Sequence, residues 1–508
     1  MFITVDQWRG DCLSTLGHPV VQTPTLDALA ADGVLFTNHW ANVTPCGPSR
    51  ATLHTGMYAQ NHRSVLNGTP LDARFTNIAL EARAGGWDPM LFGYTDSSVD
   101  PRTVGPDDPR LFNYEGVLPG FTVGVNDPEE VGDSRVWGEW LSSKGVDVPA
   151  NPRDLYEPDR DFPGAADHGD SWAPTRFSAE HTETAFVMEH LLDWLEDQDG
   201  AEPWFVHASF IRPHPPYRNP VGYHDRYDAL DGDEFRGAPT LEEEQAIHPL
   251  ARLGTIVVGC PTDDRDRRQL RATYYGMMAE VDDQLARLFA WLEASGQAGN
   301  TLVVLTSDHG EQMGDHWLLQ KLGYWDESNH VPLIIRDPRM PTDRRGTVVR
   351  SVTEHVDVMP TILGWMGLDV PLQCDGRTLQ PFIDGDGEPE DWRTEAHWEW
   401  YFHHPELQAA EQFFGIPMEQ CSLNVVRSER WKYVHFAADP AKLPPLLFDL
   451  ANDPEQVHDL SADPAHTGVV AQHLAMLLSW RMRHDERTLT GSFLSAANGL
   501  VVRRDAHR

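Results

Sequence analysis

The run from Thr301 to Thr306, with Leu302, Val303, Val304 and Leu305 at its centre, constrains this chain more than any other stretch. It is too short for a helix and lacks the alternation of a half-solvated strand. It reads as a strand buried on both faces of an α/β sheet. In such sheets ligand groups collect at the carboxyl ends of the strands. This end carries Ser307-Asp308-His309-Gly310-Glu311. The pattern recurs: Phe2 to Val5 runs into Asp6-Gln7, Pro89 to Gly93 into Tyr94-Thr95-Asp96, and Trp204 to Phe210 into Arg212-Pro213-His214-Pro215-Pro216. Val34 to Phe36 is a further strand. Helical spacing fills the intervals at Pro24–Ala30, Ile78–Ala82, Glu180–Glu196 and Tyr274–Gly296. Residues 98–175, rich in Pro, Gly, Asp and Trp, show little periodicity and predict long loops over the sheet.

A second part begins after the Gly/Asp/Pro-rich stretch Asp384-Gly385-Asp386-Gly387-Glu388-Pro389. Ala396 to Phe402, Ser422 to Val426 and Trp431 to Phe436 read as strands of an antiparallel sheet, followed by a helix from Val469 to His484. The expected domains are 1–385, catalytic, and 386–508, smaller and C-terminal. With 508 residues, 40% of them hydrophobic, the chain can bury two sizeable cores.

The formal charge is −38, spread along the chain, which argues against a nucleic-acid surface. No apolar run reaches the length of a membrane span. Phe2 to Val5 already reads as a strand, with no basic segment before it, so no signal peptide is expected. Five scattered cysteines (Cys12, Cys46, Cys260, Cys374, Cys421) do not form a disulfide framework and fit a reducing, bacterial-type cytoplasm. Of 40 basic residues only four are lysine, so Lys321, placed shortly after Asp308-His309, carries weight beyond that of an ordinary solvated lysine.

Asp6, Asp308 and His309, at separate strand ends, make a divalent-metal set. Oxygen-rich ligation suits Ca²⁺, Mg²⁺ or Mn²⁺, and an imidazole shifts the preference towards Mn²⁺. Singly, an Asp after a strand is a turn or cap and an Asp-His pair a hydrogen-bonded couple; the constellation is what points to chemistry. His214, locked among prolines at a strand end, is poorly suited to a core. The segment from Cys46 to Met57 opens a helix, and a helix start favours anions. Arg50, one turn on, can return towards Cys46.

Pro45-Cys46-Gly47-Pro48-Ser49-Arg50, with Leu53-His54-Thr55-Gly56 downstream, resembles the signature of the sulfatase family, in the alkaline phosphatase superfamily. In that family the cysteine is oxidised to formylglycine (3-oxoalanine), the nucleophile. The likeness extends through Asn38-His39 to Asp72, Phe92-Gly93-Tyr94-Thr95, Asp100-Pro101-Arg102, Ala179 to Ala185, Arg212 to Pro216, Thr306 to Gln312, Lys432 to Phe436 and Arg487 to Gly491. These stretches are similar to the phosphonate monoester hydrolase branch. The resemblance implies an α/β fold: an alkaline-phosphatase-like core with a large mixed sheet flanked by helices, plus a smaller C-terminal domain with an antiparallel sheet. It implies one divalent metal (Ca²⁺ or Mn²⁺) held by Asp6, Cys46, Asp308 and His309, with Gln7 a further ligand. Arg50 holds the formylglycine, and Asn67, Tyr94, His214 and Lys321 contact the transferring group and the leaving oxygen. A small anionic ester is the substrate, a formylglycine-generating enzyme acts during maturation, and the protein assembles as a dimer or tetramer.

The chain departs from relatives in two respects. Arylsulfatases resemble Asp-Asp and Asp-Asn at the two metal-binding strand ends, where this chain has Asp6-Gln7 and Asp308-His309, as in the phosphonate branch. That branch has Thr two residues past the Tyr, where this chain has Asp96; its carboxylate, counted among the substrate-binding residues, should repel an anionic group and instead point to a metal, hold a cation or select substrates with a positive group. The expected activity is hydrolysis of sulfate monoesters, with phosphonate monoesters and phosphodiesters as further substrates, since all three present one negative charge. A dedicated phosphonate monoester hydrolase or phosphodiesterase is the rival reading. A non-catalytic metal-binding relative fits less well with Cys46, Arg50, His214 and Lys321 all present. A phosphomutase-like or plain phosphatase site calls for Ser or Thr as nucleophile and more metal-ligating Asp and His.

Overall fold

The structure is a computed structural model and describes residues 1–126, 135–198, 200, 202–232 and 234–502. The chain packs into two compact units. The first comprises Met1–His39, Trp87–Asp96 and Phe121–Arg350, and the second Trp40–Gly86, Ser97–Gly120 and Ser351–Arg508.

A large mixed sheet forms the centre of the first unit. Its strands run in the order Val34–Trp40, His330–Arg336, Val303–Ser307, Phe2–Val5, Phe205–Phe210, Pro89–Gly93 and Thr122–Asn126, with Thr347–Val349 also on Val34–Trp40. Phe2–Val5 is flanked in parallel by Phe205–Phe210 and Val303–Ser307. All four of its residues are buried, as the continuous apolar run requires. His330–Arg336 runs antiparallel to Val303–Ser307 and makes the sheet mixed.

Helices cover the sheet, and their starts are fixed by side chains. Thr182 caps Glu183–Glu196 by accepting from the Ala185 amide at 3.1 Å. Asp263 caps Asp264–Ala294, accepting from Arg265 and Asp266. From within that helix Asp282 receives the Thr25 and Leu26 amides at 2.9 and 3.0 Å, and so anchors Pro24–Ala31. Its buried stripe includes Tyr274, Met278, Val281, Leu285 and Leu288.

The long helix starts at Asp264, ahead of the expected Tyr274. Its first turns are charged and lack an apolar stripe; the cap and the Asp264–Arg268 pair at 2.9 Å carry them instead. Within residues 98–175, expected to be loop, the structure has the strand Thr122–Asn126 and the helix Arg135–Ser143. That helix buries Trp137, Trp140 and Leu141 at i, i+3, i+4 spacing, a signal masked by Gly138 between them. Residues 127–134 of the stretch lie outside the described residues.

The second unit has a five-stranded sheet in the order Leu446–Asp449, Trp431–Phe436, Ser422–Arg427, Ala396–Tyr401 and Val43–Thr44. It is antiparallel except for its last pair. Helix Thr467–Arg483 buries Leu477 and Trp480 in a cluster with Tyr58, Val356, Val426, Tyr433 and Leu447. Among the described residues no helix is long and apolar enough to cross a membrane.

Gly93 ends its strand at φ 101°, and a Cβ there would lie 1.8 Å from the Ser209 carbonyl oxygen on the neighbouring strand. Gly93→Ala must therefore separate two backbone segments that the sheet holds together. We expect a loss of about 3 kcal/mol, read as a lower apparent Tm and earlier urea unfolding. An unchanged unfolding midpoint would refute this close approach.

Candidate active site

In the first unit, parallel pairing brings the functional strand ends to one edge. Val5 is in register with both Phe210 and Ser307, so Asp6, Ile211 and Asp308 follow side by side. Pro89–Gly93 pairs with the other side of Phe205–Phe210, bringing Tyr94 to the same edge.

Asp6, Asp308 and His309 are fully buried, and each offers a ligand atom within 4.8 Å of the others. His309 Nε2 lies 3.7 Å from Asp6 Oδ1 and 3.8 Å from Asp308 Oδ2. These separations are too long for hydrogen bonds and suit ligands around a common centre. His309 Nδ1 donates to the Gly310 carbonyl at 3.0 Å, which turns the Nε2 lone pair towards the carboxylates. Burial, and then the charge of Lys321, hold the His309 pKa well below its ordinary value, so the ring is neutral and able to ligate. Two carboxylates and a neutral imidazole buried together can hold a cation, and the donor set fits a hard divalent one.

Gln7 adopts a left-handed conformation, φ 67°. Its amide donates to Asp308 Oδ1 at 3.1 Å, which also receives the His309 amide at 2.9 Å. Its side chain joins two functional groups. Gln7 Nε2 donates to Glu311 and, at 3.1 Å, to Tyr217 Oη, while Gln7 Oε1 accepts from Lys321 Nζ at 2.8 Å. Lys321 Nζ also reaches His214 Nε2 at 2.8 Å, and His214 Nδ1 donates to the Pro215 carbonyl at 2.9 Å. The His214 tautomer is thereby set with Nε2 as acceptor. Lys321 is 7% exposed.

Glu311 organises this array, and sequence reasoning did not single it out. One oxygen accepts from the Met313 and Gln320 amides at 2.7 and 2.5 Å, at the two ends of the loop that leads to Lys321. The other accepts from Gln7 and from Tyr217 Oη, the latter at 2.5 Å. Burial and the adjacent Glu311 push the Tyr217 pKa well up, so the phenol remains a donor. Asp315 pins the same loop from beneath, bound by Arg9 at 2.7 Å and by Arg271. Burial raises its pKa, but Arg271 and Arg9 outweigh that and hold the carboxyl well below its usual range. Glu311 lies in the Asp308–Gln312 run and could have been found there; the Arg9–Asp315–Arg271 cluster brings Arg9 to residues hundreds of positions away and could not.

Tyr94, expected at the transferring group, donates its hydroxyl to Asp6 Oδ2. Asp96 is buried at φ 47°, beyond the same strand.

Cys46, Arg50 and Asn67 belong to the second unit. Cys46 is the first residue of helix Cys46–Thr55, every residue of which is buried. Asn67 Oδ1 accepts the Gly47 amide at 2.9 Å, so the side chain expected at the substrate holds the helix start. Ser49 Oγ pairs with His355 Nδ1 at 3.1 Å and Thr52 Oγ1 with His62 Nε2 at 3.0 Å. Arg50 is fully buried. Burial, then the Arg50 charge, lower the His54 pKa to about 3, so Arg50 is the cation of this helix at neutral pH.

Residues 1–368 match the sulfatase family model, and residues 314–483 match that of the C-terminal part of N-sulphoglucosamine sulphohydrolase. The chain is 40% identical to a multifunctional alkaline phosphatase superfamily protein, PehA, of Trinickia caryophylli, over 99% of this chain and 98% of the relative. It is 27% identical to an arylsulfatase of Clostridium perfringens, over 91% and 89% of the two chains. The crystal structure of a phosphonate monoester hydrolase of Agrobacterium radiobacter superposes with a TM-score of 0.92 at 45% identity, covering 99% of each chain. A phosphonate monoester hydrolase from Silicibacter pomeroyi gives 0.92 at 37%, with the same coverage. Both the specific strand-end residues and the whole-length likeness lead to one assignment: this chain belongs to the sulfatase family, within the alkaline phosphatase superfamily.

Proposed function

We propose that the protein is a formylglycine-dependent metallohydrolase of sulfate monoesters that also cleaves phosphonate monoesters and phosphodiesters. The observation that carries the reading is the buried Asp6–Asp308–His309 trio joined through Gln7 to Lys321 and His214. When bound, a divalent cation would supply charge neutralisation of the ester oxygens, and Cys46 carried as formylglycine would supply, as the aldehyde hydrate, the attacking hydroxyl. In this reading Cys46 and Gln7 join Asp6, Asp308 and His309 as ligands. Arg50 steadies the modified side chain, and Asn67, Tyr94 and Asp96 line the substrate's approach.

The chain's own residues handle charge and protons. Lys321 holds a proton at Nζ and donates to His214 Nε2, which puts a shared proton where the leaving oxygen needs one. Gln7 Oε1 fixes the ammonium from the other side. A formylglycine-generating enzyme as maturation partner and a dimeric or tetrameric assembly belong to the same proposal. Exposed Leu478, Met482, Phe493 and Leu494 near the C-terminus support assembly.

A dedicated phosphonate monoester hydrolase or phosphodiesterase is the second reading, favoured by the two phosphonate monoester hydrolases at 45% and 37% identity. A kcat/KM comparison of an aryl sulfate, an aryl phosphonate monoester and an aryl phosphodiester, with the metal controlled, separates the two. We expect the sulfate to rank first; a sulfate rate no greater than the metal-free background would leave the second reading.

If Cys46 is converted, its tryptic peptide is lighter than the thiol form and reacts with aldehyde probes. Full activity in enzyme whose Cys46 remains an alkylatable thiol would sink the mechanism. Lys321→Ala and His214→Ala should lose about 10²–10⁴-fold in kcat/KM, most on esters of poor leaving groups. Equal losses at every leaving-group pKa would assign them to binding instead. Glu311→Gln places an amide donor against donors that now point at a carboxylate. We expect weaker divalent-metal binding, by about 10–100-fold in Kd measured by calorimetry, together with lower kcat. Metal affinity equal to that of the unaltered protein would show that Glu311 does not position Gln7.

A further inference from the structure

A cavity of about 320 Å³ in the first unit has His214 in its wall, together with Tyr156, Glu157, Glu183, Arg212 and Arg218. Its charges are unequally satisfied. Glu183 accepts from the Tyr156 hydroxyl at 2.5 Å. Glu157 lies 3.7 Å from Arg160, which also binds Asp170 at 2.8 Å. The two arginines have only neutral acceptors. Arg212 donates to the Arg218 carbonyl at 2.7 Å and to Asn219 Oδ1 at 3.4 Å, and Arg218 donates to the Tyr217 carbonyl at 2.8 Å. The Nε of each is buried without a hydrogen-bond partner. Among the described residues neither has a carboxylate at ion-pair distance.

Arg212 has the buried Glu280 within electrostatic reach. Burial lowers the pKa of Arg218, and Asp170 and Glu157, whose ion pairs are with Arg160, oppose this only in part. In a chain of net charge −38, a half-buried guanidinium with no carboxylate at ion-pair distance, in the wall shared with His214, needs a reason.

We propose that this cavity receives the leaving group of the ester and that Arg218 reads an acidic substituent on it, such as a carboxylate. A planar guanidinium matches such a group with two parallel hydrogen bonds, and the volume admits an aromatic ring bearing one. The Tyr156 and Pro216 side chains offer that ring apolar contact. This rests on His214 serving the leaving oxygen, as in the function proposed above.

The test uses the full-length, metal-loaded enzyme and two aryl esters of matched leaving-group pKa, one with a ring carboxylate and one with a carboxamide in its place. Each is offered both as the sulfate and as the phosphonate monoester. We expect the unaltered enzyme to favour the carboxylate by about tenfold or more in kcat/KM. Arg218→Gln should bring that ratio close to one, and Arg218→Lys should retain part of it. A ratio near one in the unaltered enzyme, or an unchanged ratio in Arg218→Gln, overturns the inference while leaving the proposed function standing. Failure of the unaltered enzyme to cleave any of the four esters would overturn the proposed function and this inference with it.

Discussion

Burial of Asp6, Asp308 and His309 beside one another is the constraint on which the first unit depends. Two carboxylates taken out of water cost several kcal/mol each unless donors and a cation surround them. The fold meets part of this with fixed donors. The Gln7 and His309 amides point at Asp308, and the Tyr94 hydroxyl at Asp6. The nearest ring adds no positive charge, because burial and Lys321 keep it neutral. A divalent cation held there would be worth more than it is in water, and that affinity could be spent on an anionic substrate.

Holding such groups close requires backbone conformations that ordinary residues resist. Gln7, Asp96, Met313, His316, Trp317 and Gln320 all have φ between 41° and 67°, and each lies beyond a strand end or in the loop leading to Lys321. Left-handed non-glycine residues cost about 1–3 kcal/mol each and persist only where surrounding contacts over-determine them. Here the contacts are visible. Glu311 ties Met313 to Gln320, and Arg9 and Arg271 close on Asp315 between them. The strain is local, and the ion pairs beneath the loop are among the contacts that hold it in place.

The sequence made the strand ends legible because burial on both faces leaves a continuous apolar run, and a polar residue straight after it has few other uses. Asp6, Asp308-His309 and His214 stand out in that way as strand-end residues, and the parallel registers of Phe2–Val5 account for their shared edge. The Cys46 stretch was legible through its likeness to a known signature, since nothing in a lone cysteine between prolines specifies chemistry. Helix Arg135–Ser143 was missed because its apolar triplet is short and interrupted by Gly138. The first turns of the long helix were missed because caps and ion pairs, which have no periodicity, carry them. Tyr94 and Asn67 were assigned to the substrate from resemblance; their contacts with Asp6 and with the Gly47 amide depend on distances that no spacing encodes.

Gln7 shows how one departure from the arylsulfatase pattern follows from its neighbour. Its side chain must satisfy opposite demands at its two ends: Glu311 and Tyr217 Oη accept from it on one side, and the Lys321 ammonium donates to it on the other. A carboxylate at this position could accept from Lys321, but it would set a second anion against Glu311 at hydrogen-bonding distance. Two carboxylates so placed cannot both ionise without a large penalty, so one would take up a proton or move away. An amide has a donor and an acceptor at opposite ends and no net charge, and it meets both demands without a proton. Glu311 cannot give way, because its other oxygen closes the loop that positions Lys321. Gln7 and Glu311 therefore act as one unit. The choice of a neutral residue beside these carboxylates is thus tied to the loop behind it, through Glu311 and Lys321.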